Sequence, residues 1–158
     1  MFQIGDKVVH PMHGGGVVDS IVQRKVDGVV REYFVLKLPN RSMVVMIPTE
    51  NYEEIGVRPV VAAEHADRVL AAIPTIEVQM TANWNHRYRE NMERLKSGDL
   101  FEVARVIKGL SLRDARRGLS TGERKMLHSA RQILISEIVL AKSVSYEAAE
   151  ADLDTALA

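Results

Sequence analysis

The sequence contains no cysteine among its 158 residues, a single tryptophan, and an aromatic fraction of only 5%. Without cysteine, the chain can form neither a disulfide framework nor a thiolate metal site. No stretch approaches the roughly 20 consecutive apolar residues that a membrane-spanning helix requires. The first residues also lack the basic segment and apolar run that are typical of a signal peptide. These absences predict a soluble, cytoplasmic protein.

A formal net charge of zero conceals a segregation of charge along the chain. Residues 84–131 carry twelve basic and six acidic side chains, a local net charge of +6. Residues 132–158 carry one basic and five acidic side chains, a net charge of −4, and residues 1–61 are balanced. A basic middle segment in a neutral chain favours contact with a polyanion. The alternative is a solvated helical face with interspersed ion pairs.

Short apolar stretches separated by turn residues predict strands in the first 60 residues. Asp27-Gly28 favours a type I′ hairpin turn, since both residues tolerate a positive φ angle. Further turns are predicted at the three glycines 14–16 and at Pro39-Asn40-Arg41-Ser42. The predicted strands span residues 6–10, 17–26, 30–38, 43–47 and 57–60. Several short strands joined by tight turns indicate a small β-barrel of the SH3 or Tudor type over residues 1–60.

Apolar residues at helical spacing then predict a helical region over residues 61–158. Pro74 and Gly98 predict the ends of two helices. Ser120 and Ser145 are predicted N-caps, the first within a capping box that ends at Glu123. The predicted helices span residues 62–73, 84–96, 99–117 with a possible break after Gly109, 120–143 and 146–157. The predicted fold class is α+β, an N-terminal β-barrel followed by an all-α domain.

The tryptophan, Trp84, lies in polar and basic surroundings. Its neighbours along the chain are Asn83, Asn85, His86, Arg87, Tyr88 and Arg89. A core tryptophan usually lies among apolar residues. An apolar ring surrounded by cations is what a protein uses to stack against bases while it holds phosphates. The alternative is an indole at a helix start that packs under the next helix.

Two motifs resemble parts of serine hydrolases: His13-Gly14-Gly15-Gly16, an oxyanion loop, and Gly118-Leu119-Ser120-Thr121-Gly122, a nucleophile elbow. The elbow needs a buried strand before the serine, and the preceding RDARR does not predict one. His10 and His13 would begin a metal site, but no third ligand follows at a motif spacing. The sequence therefore predicts no catalytic residue, no metal site, no cofactor and no small-molecule substrate.

Longer motifs occur in both halves of the chain. The first half contains MFQIGDKVVHPMHGGGVV, EYFVLK, Ile47-Pro48 and Val57-Arg58. The second half contains NWNHRY, LKSGD, GLSTGERKML and ARQIL. These motifs resemble those of the CarD/CdnL family of bacterial transcription regulators, and the resemblance covers nearly the whole chain.

The resemblance implies that residues 1–60 dock on the β subunit of bacterial RNA polymerase, in the holoenzyme, by pairing sheet edges. Backbone hydrogen bonds would supply the docking, and side chains the specificity. Some relatives carry an arginine where this chain has Met46, so an apolar contact would replace a polar one. By position, the residues at this contact would be Arg24, Met43, Val44, Val45, Met46 and Ile47.

The resemblance also implies that residues 61–158 meet promoter DNA at the upstream edge of the transcription bubble. Trp84 matches the residue that inserts into the minor groove there and blocks re-closure of the base pairs. The implied phosphate contacts position the protein without reading sequence. Their residues would be His86, Arg87, Arg89, Arg124 and Lys125.

We therefore predict a non-enzymatic transcription regulator that binds RNA polymerase and stabilises the open promoter complex. A second hypothesis is a protein-interaction module, in which a Tudor-like domain binds a partner and a helical domain dimerises without touching DNA. That module would bind in a way that is insensitive to Trp84 and to salt. An enzyme is a third hypothesis, but no nucleophile, base and anion site converge in the sequence.

Overall fold

The computed structural model describes residues 1–39 and 43–158, and it confirms the α+β class. The described chain forms an antiparallel sheet followed by helices. Of the turn predicted at Pro39-Asn40-Arg41-Ser42, the last three residues lie outside the described residues. No helix in the described ranges is long and apolar enough to cross a membrane.

The five strands of the sheet follow the order β4-β3-β2-β1-β5. Asp27 and Gly28, between β2 and β3, have φ angles of 51° and 79°, the two positive values that the predicted type I′ turn requires. Within the described residues, β4 and β5 are the two open edges, so these strands do not close into the predicted barrel. The strands are β1 (Lys7–His10), β2 (Gly14–Val26), β3 (Val29–Lys37), β4 (Val44–Pro48) and β5 (Arg58–Pro59).

The turn predicted at the three glycines is wrong, because Gly14, Gly15 and Gly16 are the first residues of β2 and pair with β1. The chain reverses at residues 11–13 instead. A β-carbon on Gly14 would collide with Ser136 Oγ, and one on Gly15 would lie 3.0 Å from Leu140 Cδ1. The glycines therefore leave the strand without side chains where a helix packs on it.

In the described residues, the helices after residue 60 match the predicted segments, whereas the short first helix, at residues 52–55, was not predicted. Their bounds are α1 (Tyr52–Ile55), α2 (Ala63–Ala72), α3 (Trp84–Lys96), α4 (Leu100–Arg117), α5 (Thr121–Lys142) and α6 (Tyr146–Leu157), with a 3₁₀ turn at Ile73–Thr75. The predicted N-caps are confirmed, since Ser120 Oγ accepts from Glu123 N and Ser145 Oγ accepts from Ala148 N. Helix α4 continues through Gly109 without a break.

The apolar core consists of two clusters. One lies on the inner face of the sheet, where Phe34, Leu36 and Ile47 are at most 1% exposed. The other lies between the helices, with Leu134 and Ile138 of α5 fully buried in it. Helix α5 also packs across β2, so one element touches both the helical core and the sheet.

Buried polar contacts reinforce the junction between α5 and the sheet. The Glu137 side chain is fully buried and accepts hydrogen bonds from Arg58 Nη1 and Nη2, each at 2.7 Å, and from Val61 N at 3.0 Å. Gly15 N donates to Ser136 Oγ at 2.8 Å. Lys7 Nζ donates to the Leu140 carbonyl at 3.1 Å. These contacts connect α5 to β1, β2 and β5.

Candidate functional site

Trp84 is the first residue of α3, and the residue is 42% exposed. The Asn83 side chain caps the helix by accepting a hydrogen bond from His86 N at 3.1 Å. The indole stacks on the Tyr88 ring, with centroids 5.1 Å apart and planes 18° apart. A large apolar ring thus stands at the surface instead of joining the helical core.

The indole is also fixed at its polar end. Trp84 Nε1 donates a hydrogen bond to Ser120 Oγ at 3.1 Å. The same hydroxyl caps α5 and donates to Glu123 Oε1 at 3.3 Å. Beneath the ring lies Gly122, where a β-carbon would be 3.5 Å from the indole. The starts of α3 and α5 therefore meet at Trp84, and the indole has a defined orientation.

Arg87 does not have the surroundings predicted for a phosphate contact. Its side chain is buried, and Nε and Nη2 bond to the Glu123 carboxylate at 2.9 and 3.3 Å. Nη1 donates to the carbonyls of Thr81 and Ala82, each at 3.1 Å. Because these donors bond inside the protein, Arg87 positions the start of α3.

The pKa of Glu123 reflects this network. Burial by itself raises the pKa of a carboxyl group, but the hydrogen bonds and charge of Arg87 act in the opposite direction. The charge of Arg113 and a hydrogen bond from Ser120 add to that effect, and the pKa of Glu123 lies below its ordinary value. Glu123 is therefore ionised at neutral pH, and its charge is committed to Arg87.

The other predicted DNA contacts are exposed: His86 and Arg89 on α3, and Arg124 and Lys125 near the start of α5. In the described parts of the chain, no carboxylate lies within ion-pair distance of Arg89, Arg124 or Lys125. The first turn of α3 carries no acid. Three exposed cations without ion-pair partners among the described residues lie near the starts of these two helices and favour a bound anion.

The predicted polymerase contacts divide between the two faces of the sheet. Met43, Val44 and Met46 are 52%, 48% and 39% exposed, whereas the side chains of Val45 and Ile47 lie in the core. Strand β4 is an edge strand that pairs with β3 on one side.

Arg24 is exposed on the same face as Met46. It pairs with Arg31 of β3, whose alternate residues Tyr33 and Val35 lead along that face to Met46, the partner of Val35. An apolar edge and two arginines therefore share the outer face of the sheet.

The hydrolase and metal motifs have structural explanations. Ser120 is the cap of α5 and the partner of the Trp84 indole, and the three glycines contact α5. His10 Nδ1 accepts from Met12 N, and the His10 and His13 rings lie 4.7 Å apart. Burial and the neighbouring His13 lower the pKa of His10 to about 4. Within residues 1–39 and 43–158, no three potential metal ligands cluster.

Two residues of the site were missed in the sequence. Tyr88 is half-buried and packs against the helical core, and its ring also stacks on the Trp84 indole, a contact that the sequence did not indicate. Ser120 was interpreted only as a cap, although it also orients Trp84. The capping box indicates the hydroxyl position, but no local pattern indicates that the indole of another helix will reach it.

Comparison with known proteins gives matches over both halves of the chain. Residues 2–61 match the CarD-like/TRCF RID domain, and residues 68–154 match the CarD, C-terminal domain. The chain is 32% identical over 145 residues to the "Putative transcription factor YdeB" of Bacillus subtilis (strain 168), covering 92% of this chain and 95% of that protein. Since two domain models and a nearly full-length relative agree, the chain belongs to the CarD/CdnL family of bacterial transcription regulators.

Proposed function

We propose that the chain binds the β subunit of RNA polymerase through residues 1–60 and stabilises the open promoter complex through residues 61–158. In this proposal Trp84 inserts into the minor groove at the upstream edge of the bubble. The observation that carries it is the Trp84 indole, an exposed ring fixed by Ser120 and Tyr88 at the start of two helices. Membership of the family supports the polymerase as partner.

The polymerase contact would form at β4. An extended segment of the β subunit would add to this open edge, so backbone hydrogen bonds would supply most of the binding. Val44 and Met46 offer apolar side chains beside that edge, and Arg24 and Arg31 offer cations on the same face. Val45 and Ile47 would contribute through their backbone, since their side chains lie in the core.

The DNA contact would form where α3 and α5 begin. An inserted ring must displace stacked bases, which costs a few kcal/mol in an intact duplex and less where the pairs are already open. A ring already held in one orientation loses little side-chain entropy on insertion. Arg89, Arg124 and Lys125 would neutralise phosphates on either side. Such contacts act without sequence specificity, as suits a factor that recognises a fork.

The test is the lifetime of the open promoter complex with the cognate RNA polymerase. We expect the wild-type chain to lengthen the lifetime. Trp84→Ala should reduce that lengthening about tenfold, equivalent to about 1.4 kcal/mol. Trp84→Phe is the matched control, because it keeps an apolar ring and removes the indole N–H. It should retain most of the effect.

Two measurements make the result decisive. Binding of each variant to the polymerase without DNA shows whether the sheet contact is intact, and thermal unfolding shows whether the fold is. If Trp84→Ala binds the polymerase and lengthens the lifetime as the wild type does, the insertion is wrong. The remaining function would then be the protein-interaction module without DNA contact.

A further inference from the structure

A second basic surface lies beside Trp84, behind the segment that leads into α3. It is a cavity of about 410 Å³ between residues 78–82 and the C-terminal half of α4, which we call the arginine groove. Its apolar floor includes Val78, Met80 and Leu112. Three cations, Arg113, Arg116 and Arg117, line its other side.

The wall of the groove is held in place by α4. Gly109 lacks the β-carbon that would collide with Met80 and lie 2.8 Å from Val78 Cγ1, so residues 78–80 rest directly on the helix. Lys108 Nζ donates to the carbonyls of Ile73 and Ile76 at 2.7 and 2.8 Å, which fixes the chain just before this segment. The groove therefore exists before any ligand arrives.

The charge of the groove is only partly compensated from within. Arg116 and Arg117 are exposed and have no ion-pair partner in the described part of the chain. Arg113 Nε is buried without a hydrogen-bond acceptor, and its nearest carboxylate oxygen, Glu123 Oε1, lies 3.9 Å away. Glu123 is already committed to Arg87. Cations at a helix C-terminus complement the helix dipole, but that role needs no groove beside them.

We propose that the arginine groove binds backbone phosphates of the promoter DNA next to the step where Trp84 inserts. Ala82 lines the groove and lies two residues before Trp84, and Glu123 lies next to both Arg113 and Arg87. The groove and the indole therefore flank the same ion pair. Guanidinium groups match phosphate geometry, and the apolar floor matches deoxyribose. This inference rests on the proposed function and adds Arg113, Arg116 and Arg117 to the DNA contacts.

The sharpest test changes one charge in the groove. Leu112 is 44% exposed, so both Leu112→Glu and Leu112→Gln are compatible with the fold. The two side chains have nearly the same size and differ in charge. We expect Leu112→Glu to reduce the extension of open-complex lifetime at least threefold, because a carboxylate repels the phosphates. Leu112→Gln loses the same apolar contact but adds no charge, so it should retain clearly more of the lifetime extension than Leu112→Glu does.

A second test counts the phosphates. Each phosphate contact contributes about 0.9 to the slope of log affinity against log salt, or about 3.5-fold between 50 and 200 mM. Arg116→Gln and Arg117→Gln should each lower the slope of the log lifetime extension against log salt by about 0.9, so that the extension falls about 3.5-fold less between 50 and 200 mM. Arg68→Gln, which removes one cation from α2 outside the groove, is the matched control and should leave the salt sensitivity unchanged.

The outcomes separate this inference from the proposed function. The groove proposal is wrong if Leu112→Glu and Leu112→Gln act alike and the arginine variants keep the wild-type salt sensitivity. If Trp84→Ala loses the effect in the same experiments, the insertion of Trp84 is still supported. If the groove variants lose the effect while Trp84→Ala keeps it, DNA binds the groove without insertion. If the wild-type chain does not lengthen the lifetime at all, both proposals are wrong.

Discussion

Arg87 and Arg89 lie two positions apart on α3 and have opposite surroundings. Arg87 is buried with its donors satisfied, and Arg89 is exposed. Arg87→Ala should lower the free energy of unfolding by about 3–5 kcal/mol, because it leaves the Glu123 carboxylate buried without its partner. Arg89→Ala should change it by less than about 0.5 kcal/mol and should weaken DNA binding. Urea unfolding of the two variants provides the comparison.

Comparison of the Arg87→Ala and Arg89→Ala variants also decides whether Arg87 contacts DNA. If Arg87→Ala kept the stability of the wild type and reduced the salt dependence of DNA binding as Arg89→Ala does, Arg87 would be a phosphate contact. The sequence did not distinguish the two arginines. The buried face of α3 consists of Arg87, Asn91 and Leu95, and two of these three residues are polar. The spacing of the hydrophobic residues therefore indicated a neighbouring face of the helix. The exposure of Trp84, in contrast, agreed with its polar neighbours.

The contact between β2 and α5 depends on glycine at one position. Gly14 and Gly5 have φ angles of 96° and 94°, so alanine is equally strained at both. A β-carbon on Gly14 would collide with Ser136, whereas one on Gly5 would meet no atom within 4 Å. Gly14→Ala should therefore lose about 1–3 kcal/mol more unfolding free energy than Gly5→Ala in urea titrations. Equal losses would mean that α5 can move away from β2 without cost.

At the level of elements, the sequence predicted what is local and missed what is long-range. The Asp27-Gly28 turn and the caps at Ser120 and Ser145 depend on residues within a few positions, and they were predicted correctly. The three glycines resembled a turn because their small size serves turns in general. Their role here depends on a helix more than 100 residues later in the chain, which no local pattern reveals.

In the molecule as a whole, one buried ion pair joins the sheet to the helices. Arg58→Ala should lower the free energy of unfolding by about 3 kcal/mol or more, because Glu137 would be left buried and charged. Arg131→Ala is the matched control, since Arg131 pairs with Asp154 at 2.8 Å at the surface. It should cost about 1 kcal/mol or less. Equal effects in urea unfolding would show that Arg58 contributes no more than a surface pair.

The division of the chain near residue 60 stays a prediction. The composition changes there from strand-forming to helix-forming segments, and that change is visible in the sequence. The Arg58–Glu137 pair spans the division and was not predicted, because residues so far apart in sequence give no pattern by which to pair them. The sequence thus predicts where the two halves divide, but it does not predict the contacts between them.

Helix α5 fixes the distance between the Trp84 ring and the Arg58–Glu137 ion pair. Gly122 lies under the Trp84 ring and Glu137 binds Arg58. These residues are fifteen positions apart, which corresponds to about 22 Å at 1.5 Å per residue. That length equals about six to seven base pairs of DNA at 3.4 Å each. In the proposed complex, α5 would therefore set how far the opened base step lies from the β5 edge of the sheet, the edge opposite the polymerase contact at β4.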